Sequence, residues 1–259
     1  MGHHLFDKLL RLFIRWLVID QDFADVPLHR LTSKDYAAEL RVGIDPTTAS
    51  VSQKSDVALG YESPETTHNS VVYAQGMAVS VTYTLEAGYG SAITVPGGGF
   101  LLNNEMGDFN AGPGITTERG LIGTRPNLAR PEQRMLSSMS PSIVAKDGEL
   151  VAVIGSPGGR TIINTVLQLI LNIVDFDHGI QEAVNAPRIH HQWLPGSVRI
   201  EQPGATDEIL ATLRAMGHEV TTGRGQGRAH SIMVDPDTGD RLGAADPRGA
   251  DSGASGHRE

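Results

Sequence analysis

The 259-residue sequence contains no cysteine. Disulfide bridges, thiolate nucleophiles, iron–sulfur clusters and cysteine-based zinc sites are therefore excluded together. Histidine does not fill the gap, because the adjacent His190 and His191 point to opposite sides of a strand and no HExxH motif occurs. The sequence predicts no metal and no cofactor, and any nucleophile has to be an oxygen or a nitrogen.

The sequence also lacks a long hydrophobic run and an excess of basic residues. Three polar residues interrupt the most apolar stretch, residues 162–174, so no segment reaches the roughly eighteen apolar residues of a membrane helix. Lysine and arginine number 21 against 30 aspartate and glutamate, a net charge of −9, which disfavours binding to phosphate-rich polymers. We expect neither a membrane span nor a nucleic-acid partner.

The first twenty residues carry apolar side chains at helical spacing, with three basic residues among them. This pattern predicts an amphipathic helix. The segment lacks the uninterrupted apolar core and the small-residue cleavage site of a secretory leader, so no export signal is predicted in this chain.

Glycine and proline are plentiful, at 30 and 14 residues, which predicts many turns. The clearest turn is Ala74-Gln75-Gly76, which follows residues 66–73 and precedes the alternating apolar and polar stretch 77–85. A three-residue hairpin loop favours a left-handed residue in third place, where Gly76 stands. The resulting register pairs Thr66 with Thr84.

Strand patterns followed by helices and again by strands predict a layered α+β fold. The polar, aperiodic residues 46–65 are typical of a flexible connector, and the polar tail 246–259 predicts disorder. The other predicted elements are a capped helix over 31–41, a hairpin of 142–145 with 150–154, an apolar helix over 160–174 sandwiched between layers, a helix over 207–216, and a hairpin of 231–234 with 241–245.

Thr66 stands where the connector meets the first strand. This is the position of an amino-terminal nucleophile before its release. Once the Glu65–Thr66 bond is cut, the Thr66 hydroxyl can attack and its own freed α-amine can act as general base. Such an amine has a reference pKa of about 8, close to working pH.

Other candidate residues are ambiguous on their own. The glycine-rich segments 97–99 and 155–159 match neither a phosphate loop nor a dinucleotide motif, and no GxSxG elbow occurs. Gly158 and Gly159 suit either an oxyanion at a helix amino terminus or a simple tight turn. Glu105 and Asp108 suit either a solvated face or an ammonium-binding pair.

Taken together, six motifs resemble those of the gamma-glutamyltransferase (glutathione hydrolase) family. They follow the family order along the small subunit, which would extend from Thr66 to about Arg248. The stretches 22–27 and 33–37 resemble the carboxyl end of that family's large subunit. The six motifs are Thr66–Val72, Thr82–Leu85, Gly99–Met106, Leu136–Pro141, Gly155–Gly159 and Asn185–Trp193.

The resemblance assigns four residues to catalysis. Thr66 would be the nucleophile and the site of self-cleavage. Thr84 would be the hydroxyl that hydrogen-bonds it, in agreement with the hairpin register. The amides of Gly158 and Gly159 would stabilise the tetrahedral oxyanion.

The resemblance assigns five further residues to substrate binding. Glu105 and Asp108 would hold the α-amino group of the γ-glutamyl moiety. Ser137 and Ser138 would bind its α-carboxylate. Glu86 stands where many members have asparagine and some have glutamate.

The family also implies a fold and an activity. The fold would be the αββα four-layer sandwich of an N-terminal-nucleophile (Ntn) hydrolase, incomplete here. Residues 1–65 would be a remnant of the large subunit with the connector, and residues 66–259 the small-subunit catalytic domain. Glutathione or another γ-glutamyl amide would pass its acyl group to water, an amino acid or a peptide, in the periplasm or outside the cell. Residues 109–137 are long enough to include the family's lid.

Two alternatives remain open at this stage. A cephalosporin or glutaryl acylase shares the scaffold and the nucleophile type, but its substrate gives Glu105 and Asp108 no α-amino group to bind. The second is a catalytically silent fragment that associates with a separately encoded large subunit, since most of that subunit lies outside these 259 residues.

Overall fold

The computed structural model describes residues 20, 22–23, 25–51, 65–110, 112, 127–192 and 195–256. The predicted amino-terminal helix, residues 52–64 of the connector and most of the lid segment lie outside these ranges. No helix in the described ranges is long and apolar enough to cross a membrane.

The described chain contains five α-helices and nine strands. Their order confirms the α+β prediction. The helices are α1 (Leu28–Leu31), α2 (Lys34–Val42), α3 (Thr161–Val174), α4 (Ile180–Asn185) and α5 (Asp207–Ala215), and the strands are β1 (Thr66–Val72), β2 (Ala78–Thr84), β3 (Ser142–Lys146), β4 (Glu149–Ile154), β5 (Ile189–His190), β6 (Val198–Glu201), β7 (Val220–Gly223), β8 (Ser231–Val234) and β9 (Arg241–Ala244).

The strands form three sheets. β1 pairs with β2, the central sheet has the order β3-β4-β8-β9, and β5-β6-β7 form a small sheet in which β6 and β7 are parallel. Gly76 adopts φ 85° in the first hairpin loop, and Thr66 lies opposite Thr84. The register derived from the loop residue is therefore confirmed.

The β1–β2 hairpin packs on one face of the central sheet. Ser70 Oγ donates to the carbonyl oxygens of Val153, at 3.3 Å, and His230, at 2.8 Å, while Ser80 Oγ donates to Ile154 O at 3.0 Å. The small serine side chains let the two sheets approach closely enough for these bonds. Their hydroxyls satisfy polar groups that the contact would otherwise bury without partners.

Helix α3 packs on the other face of the central sheet through an apolar stripe that includes Ile162, Val166 and Ile170, each at most 2% exposed. On the opposite side of the helix, Gln168 Nε2 donates to Ile189 O of β5 at 2.8 Å. Two of the polar residues that interrupt the apolar run, Asn164 and Gln168, thus bind β5, while Asn172 Nδ2 donates to Ala183 O of α4 at 3.4 Å. The described order is hairpin, central sheet and helices, three of the four layers that the resemblance implies.

The predicted disorder of the tail is wrong for residues 246–256. Asp246 is 1% exposed. It accepts hydrogen bonds at 2.7 Å from Arg188 Nη2 and from Ala229 N, and at 2.9 Å from Arg248 N. Burial alone would raise the pKa of Asp246, but the Arg188 guanidinium and these amides hold it below its ordinary value. A polar composition here encodes a buried ion pair rather than a solvated tail.

Glu201 extends this ion-pair network. Its carboxylate accepts hydrogen bonds from Arg248 Nε at 2.8 Å, from Arg188 N at 3.0 Å and from Gln226 N at 2.7 Å. The network therefore joins β6, the segment before β5, the loop before β8 and the tail. Because both carboxylates are nearly inaccessible to water, loss of one partner leaves an uncompensated buried charge.

We expect Asp246→Asn to lower the free energy of unfolding by about 3–5 kcal/mol, since it leaves the buried Arg188 guanidinium without its counter-ion. The matched control is Asp251→Asn, because Asp251 pairs with Arg228 at the surface with its side chain 80% exposed. That change should cost less than about 1 kcal/mol. Urea unfolding followed by circular dichroism measures both, and equal losses would contradict the role of burial.

Candidate active site

The start of β1 places Thr66 beside the end of β2. Thr84 Oγ1 donates a hydrogen bond to the carbonyl oxygen of Glu65 at 2.8 Å, and accepts one from Glu86 N at 2.9 Å. The Thr84 hydroxyl therefore contacts the peptide bond that the sequence predicts to be cut. In the uncleaved chain it binds the Glu65 carbonyl, one bond away from Thr66 itself.

Thr66 opens onto a cleft, here called the acidic cleft. It brings together eight of the nine residues assigned from the sequence, while the ninth, Gly158, lines a neighbouring cavity. Residues from β1, β2, three loops and α3 meet there, although they are up to 96 positions apart in the chain. The residues that line the acidic cleft are Thr66, Thr84, Glu86, Glu105, Asp108, Ser137, Ser138, Met139, Gly159 and Ile162.

Three carboxylates line the acidic cleft. Glu105 and Asp108 lie in one turn of 3-10 helix, Glu105–Asp108. Glu86, at φ 71°, packs over Gly107 so closely that a Cβ there would lie 2.1 Å from Glu86 Oε1. No lysine or arginine is among the described residues of the lining. The lining concentrates three carboxylates, and a ligand ammonium group would pair favourably with them.

The pKa shifts of two of these carboxylates are consistent with a cleft that favours a cationic ligand. Burial raises the pKa of Glu86. Burial also raises the pKa of Glu105, with a smaller contribution from the charge of Glu86, while the neighbouring Asp108 opposes the shift. Both shifts indicate that burial disfavours the ionised form of these carboxylates. The solvated-face alternative for Glu105 and Asp108 does not fit this burial.

The serine pair borders the same cleft. Ser138 is buried and its Oγ donates to Gly159 O at 3.0 Å. Ser137 Oγ accepts from Met139 N at 3.2 Å, and among the described residues its own proton has no acceptor. Ser137 is therefore placed to donate to a ligand, whereas Ser138 also anchors the glycine segment.

The segment 155–159 presents two backbone amides at the start of α3. Gly158 and Gly159 have φ 135° and 54°, values that favour glycine. Their carbonyls accept from Thr161 N and Ile162 N in the first turn of α3. Within the described ranges neither N–H has an acceptor. Two unpaired amides at a helix amino terminus favour an oxyanion site over a simple tight turn.

His68 positions this glycine segment, a role that the sequence analysis missed. The ring is 1% exposed, with Nδ1 at 2.8 Å from Thr82 Oγ1 and Nε2 at 3.1 Å from Ser70 Oγ. A Cβ on Gly155 would lie 2.0 Å from His68 Cε1, so only glycine fits beside the ring. The hairpin register, which pairs His68 with Thr82, was the available signal.

Residues 3–256 match the family model described as gamma-glutamyltranspeptidase. The chain belongs to the gamma-glutamyltranspeptidase family. It is 46% identical over 242 residues to the glutathione hydrolase proenzyme of Escherichia coli K12, covering 92% of this chain and 41% of that protein. The chain therefore spans about two fifths of the length of such relatives.

Two further comparisons concern a solved structure and an acylase. A solved mutant gamma-glutamyltranspeptidase of Helicobacter pylori superposes with a TM-score of 0.66 at 48% identity, covering 71% of this chain and 100% of that chain. The Acylase ACY 1 proenzyme of a Pseudomonas species is 35% identical over 229 residues, 87% of this chain and 38% of that protein. The Ntn-hydrolase prediction agrees with these neighbours.

His68 should make the free energy of unfolding depend on pH. Burial, with a smaller effect of His230, lowers the pKa of His68 to about 4, against about 6.5 when unfolded. Between these two pKa values the unfolded chain binds a proton that the folded chain does not. The contribution of neutral His68 to the free energy of unfolding is therefore fully present above pH 6.5 and is lost as the pH falls toward 4.

Accordingly, lowering the pH from 7 to 4.5 should cost the parent chain on the order of 2 kcal/mol more unfolding free energy than it costs His68→Gln. His29→Gln, which removes an exposed histidine, should keep the parent slope. Urea unfolding at both pH values provides the comparison, and parallel curves for the parent and His68→Gln would rule the assignment out.

Proposed function

We propose that this chain carries the catalytic residues for γ-glutamyl transfer from glutathione, or a related amide, to water, an amino acid or a peptide. The observation that carries this proposal is the acidic cleft, which joins Thr66 to three carboxylates and the serine pair. The similarity to glutathione hydrolase proenzymes supports it.

Maturation would begin with Thr66 Oγ attacking the carbonyl carbon of Glu65. The C–N bond between them breaks, the nitrogen takes the hydroxyl proton, and an ester joins Glu65 to the Thr66 side chain. Water then hydrolyses the ester, which restores the hydroxyl and leaves a free α-amine. The hydrogen bond from Thr84 to Glu65 O withdraws electron density from that carbonyl and favours the attack.

Turnover would use the same hydroxyl with the new amine. The Thr66 α-amine takes the hydroxyl proton as Oγ attacks the γ-carbonyl, and it passes the proton to the leaving amine when the amide bond breaks. The amides of Gly158 and Gly159 receive the oxyanion. Water or an acceptor amine then attacks the acyl-enzyme ester and regenerates Thr66.

Different residues of the acidic cleft would bind the two charged groups of the γ-glutamyl moiety. Glu105 and Asp108, with Glu86 beside them, bind the α-ammonium group. Ser137 and Ser138 donate to the α-carboxylate. The chemistry needs no cofactor, because the charge changes are handled by the α-amine and the amides.

The acylase alternative is less well supported by the site. A glutaryl side chain lacks the α-amino group, so it offers no ammonium group to the three carboxylates that line the cleft. Association with a separately encoded large subunit remains an open alternative, and the periplasmic or extracellular location remains a prediction. The assignment of residues 1–65 and 66–259 to the two subunits also remains a prediction.

The first test is self-cleavage. Intact-mass measurements over several days should show a product that consists of residues 66–259. Thr66→Ala should abolish it because the attacking oxygen is gone, whereas Thr66→Ser keeps that oxygen and should retain some cleavage. A mass that stays constant for the parent chain, also when a large subunit is supplied, would contradict the proposal.

The second test separates the γ-glutamyl and glutaryl activities. In Glu105→Gln we expect kcat/KM for a γ-glutamyl amide to fall by about 10- to 100-fold, as a charge-assisted hydrogen bond is lost. The corresponding glutaryl amide should change little. The control, Glu149→Gln, removes an exposed carboxylate outside the cleft. Equal losses for both amides would contradict the ammonium-binding role.

A further inference from the structure

A second cavity adjoins the nucleophile. It has a volume of about 310 Å³ and is here called the basic cavity. Three arginines and one carboxylate are among its described walls, the reverse of the charge in the acidic cleft. It is lined by Glu65, Pro157, Gly158, Arg224, Gly225, Gly227, Arg228 and Arg248.

The two cavities meet at the reacting groups. Thr66 and Gly159 line the acidic cleft, whereas their chain neighbours Glu65 and Gly158 line the basic cavity. The Glu65–Thr66 peptide bond therefore passes from one cavity to the other. The two residues whose amides are assigned to the oxyanion also lie on either side of this boundary, with Gly158 in the basic cavity and Gly159 in the acidic cleft.

This arrangement fixes where a leaving group lies. In the proposed mechanism the leaving amine takes its proton from the Thr66 α-amine. That nitrogen is the atom to which Glu65 is bonded before cleavage. A leaving amine next to it therefore occupies the Glu65 side of Thr66, which is the basic cavity.

One arginine of the basic cavity is uncommitted. Arg248 is held by Glu201 and Asp246, and Arg228 pairs with Asp251 at 3.2 Å. The Arg224 side chain is exposed and has no hydrogen-bond or ion-pair partner among the described residues. Its guanidinium is therefore available to bind a carboxylate, with Arg228 beside it.

The wall that carries Arg224 is held in place by the ion-pair network. A Cβ on Gly225 would lie 2.8 Å from Arg248 Cγ, and one on Gly227 would lie 2.5 Å from Ser156 Oγ. Arg228 N donates to the same Ser156 Oγ at 2.9 Å. The arginine loop and the glycine segment thus form one packed unit, so the cavity is preorganised rather than a gap between loose loops.

We propose that the basic cavity binds the carboxylate of the leaving or acceptor peptide, with Arg224 as its main contact. The inference rests on the proposed function, since a γ-glutamyl peptide carries an ammonium group at one end and a free carboxylate at the other. The two cavities match these charges on opposite sides of Thr66. Arg224 then determines specificity for peptides with a free carboxyl terminus over neutral amines.

Turnover of two donors tests this role. Glutathione and its carboxyl-terminal amide differ only in that charge, and the parent chain should favour glutathione in kcat/KM by about 10-fold, the effect of one charge-assisted contact. In Arg224→Gln the ratio should fall toward 1, because kcat/KM for glutathione falls by more than kcat/KM for the amide, which lacks the charge that Arg224 binds. Arg224→Lys should keep part of the preference, and the exposed Arg214→Gln should keep all of it.

Binding measurements separate this inference from the proposed function. By calorimetry, glycylglycine should bind the parent chain at least about 5-fold more tightly than glycylglycinamide, and Arg224→Gln should remove the difference. Selective binding without turnover, also when a large subunit is supplied, would contradict the proposed function and support the carboxylate site. Turnover of both donors at one ratio in the parent and Arg224→Gln would overturn the site alone, as would equal binding of the two dipeptides.

Discussion

The buried ion pair of Arg188 and Asp246 is the contact on which the rest of this site depends. Asp246 also binds the amide of Ala229, and Arg188 Nη1 donates to Gln226 O at 2.7 Å. These bonds fix the loop that reaches Ser156, and Ser156 belongs to the glycine segment beside Thr66. A charge pair from the end of the described chain thus determines the geometry around the nucleophile. We therefore expect its removal to change the geometry of the proposed site as well as to lower stability.

A second constraint acts from the hairpin side. His68 stays neutral in a buried position and fills the space over Gly155, so β1 positions both Thr66 and the start of the oxyanion segment. The proposed nucleophile and the glycine segment that carries the proposed oxyanion donors are thereby both positioned by β1. Such rigid support from regular structure is what keeps reacting groups within the narrow tolerances of catalysis.

The sequence predicted most of what depends on local rules. Gly76 determined the hairpin register, and the motif resemblance located nine positions of which eight share one cleft. Prediction from the sequence failed for contacts between residues that are far apart in the chain. The 58 positions between Arg188 and Asp246 carry no periodic signal, so the tail was interpreted as solvated from its polarity alone. The fit of Gly155 to His68 and the convergence of the three arginines likewise arise only from tertiary packing.

The path of the Glu65–Thr66 bond has a consequence for timing. While the chain is intact, residue 65 lines the space assigned to the departing peptide, and the nitrogen needed as base is still an amide. In the proposed mechanism the uncleaved chain therefore lacks the base, while Glu65 forms part of the wall of the cavity assigned to the departing peptide. A single bond scission would therefore create the base and release residue 65 from the nucleophile in the same event.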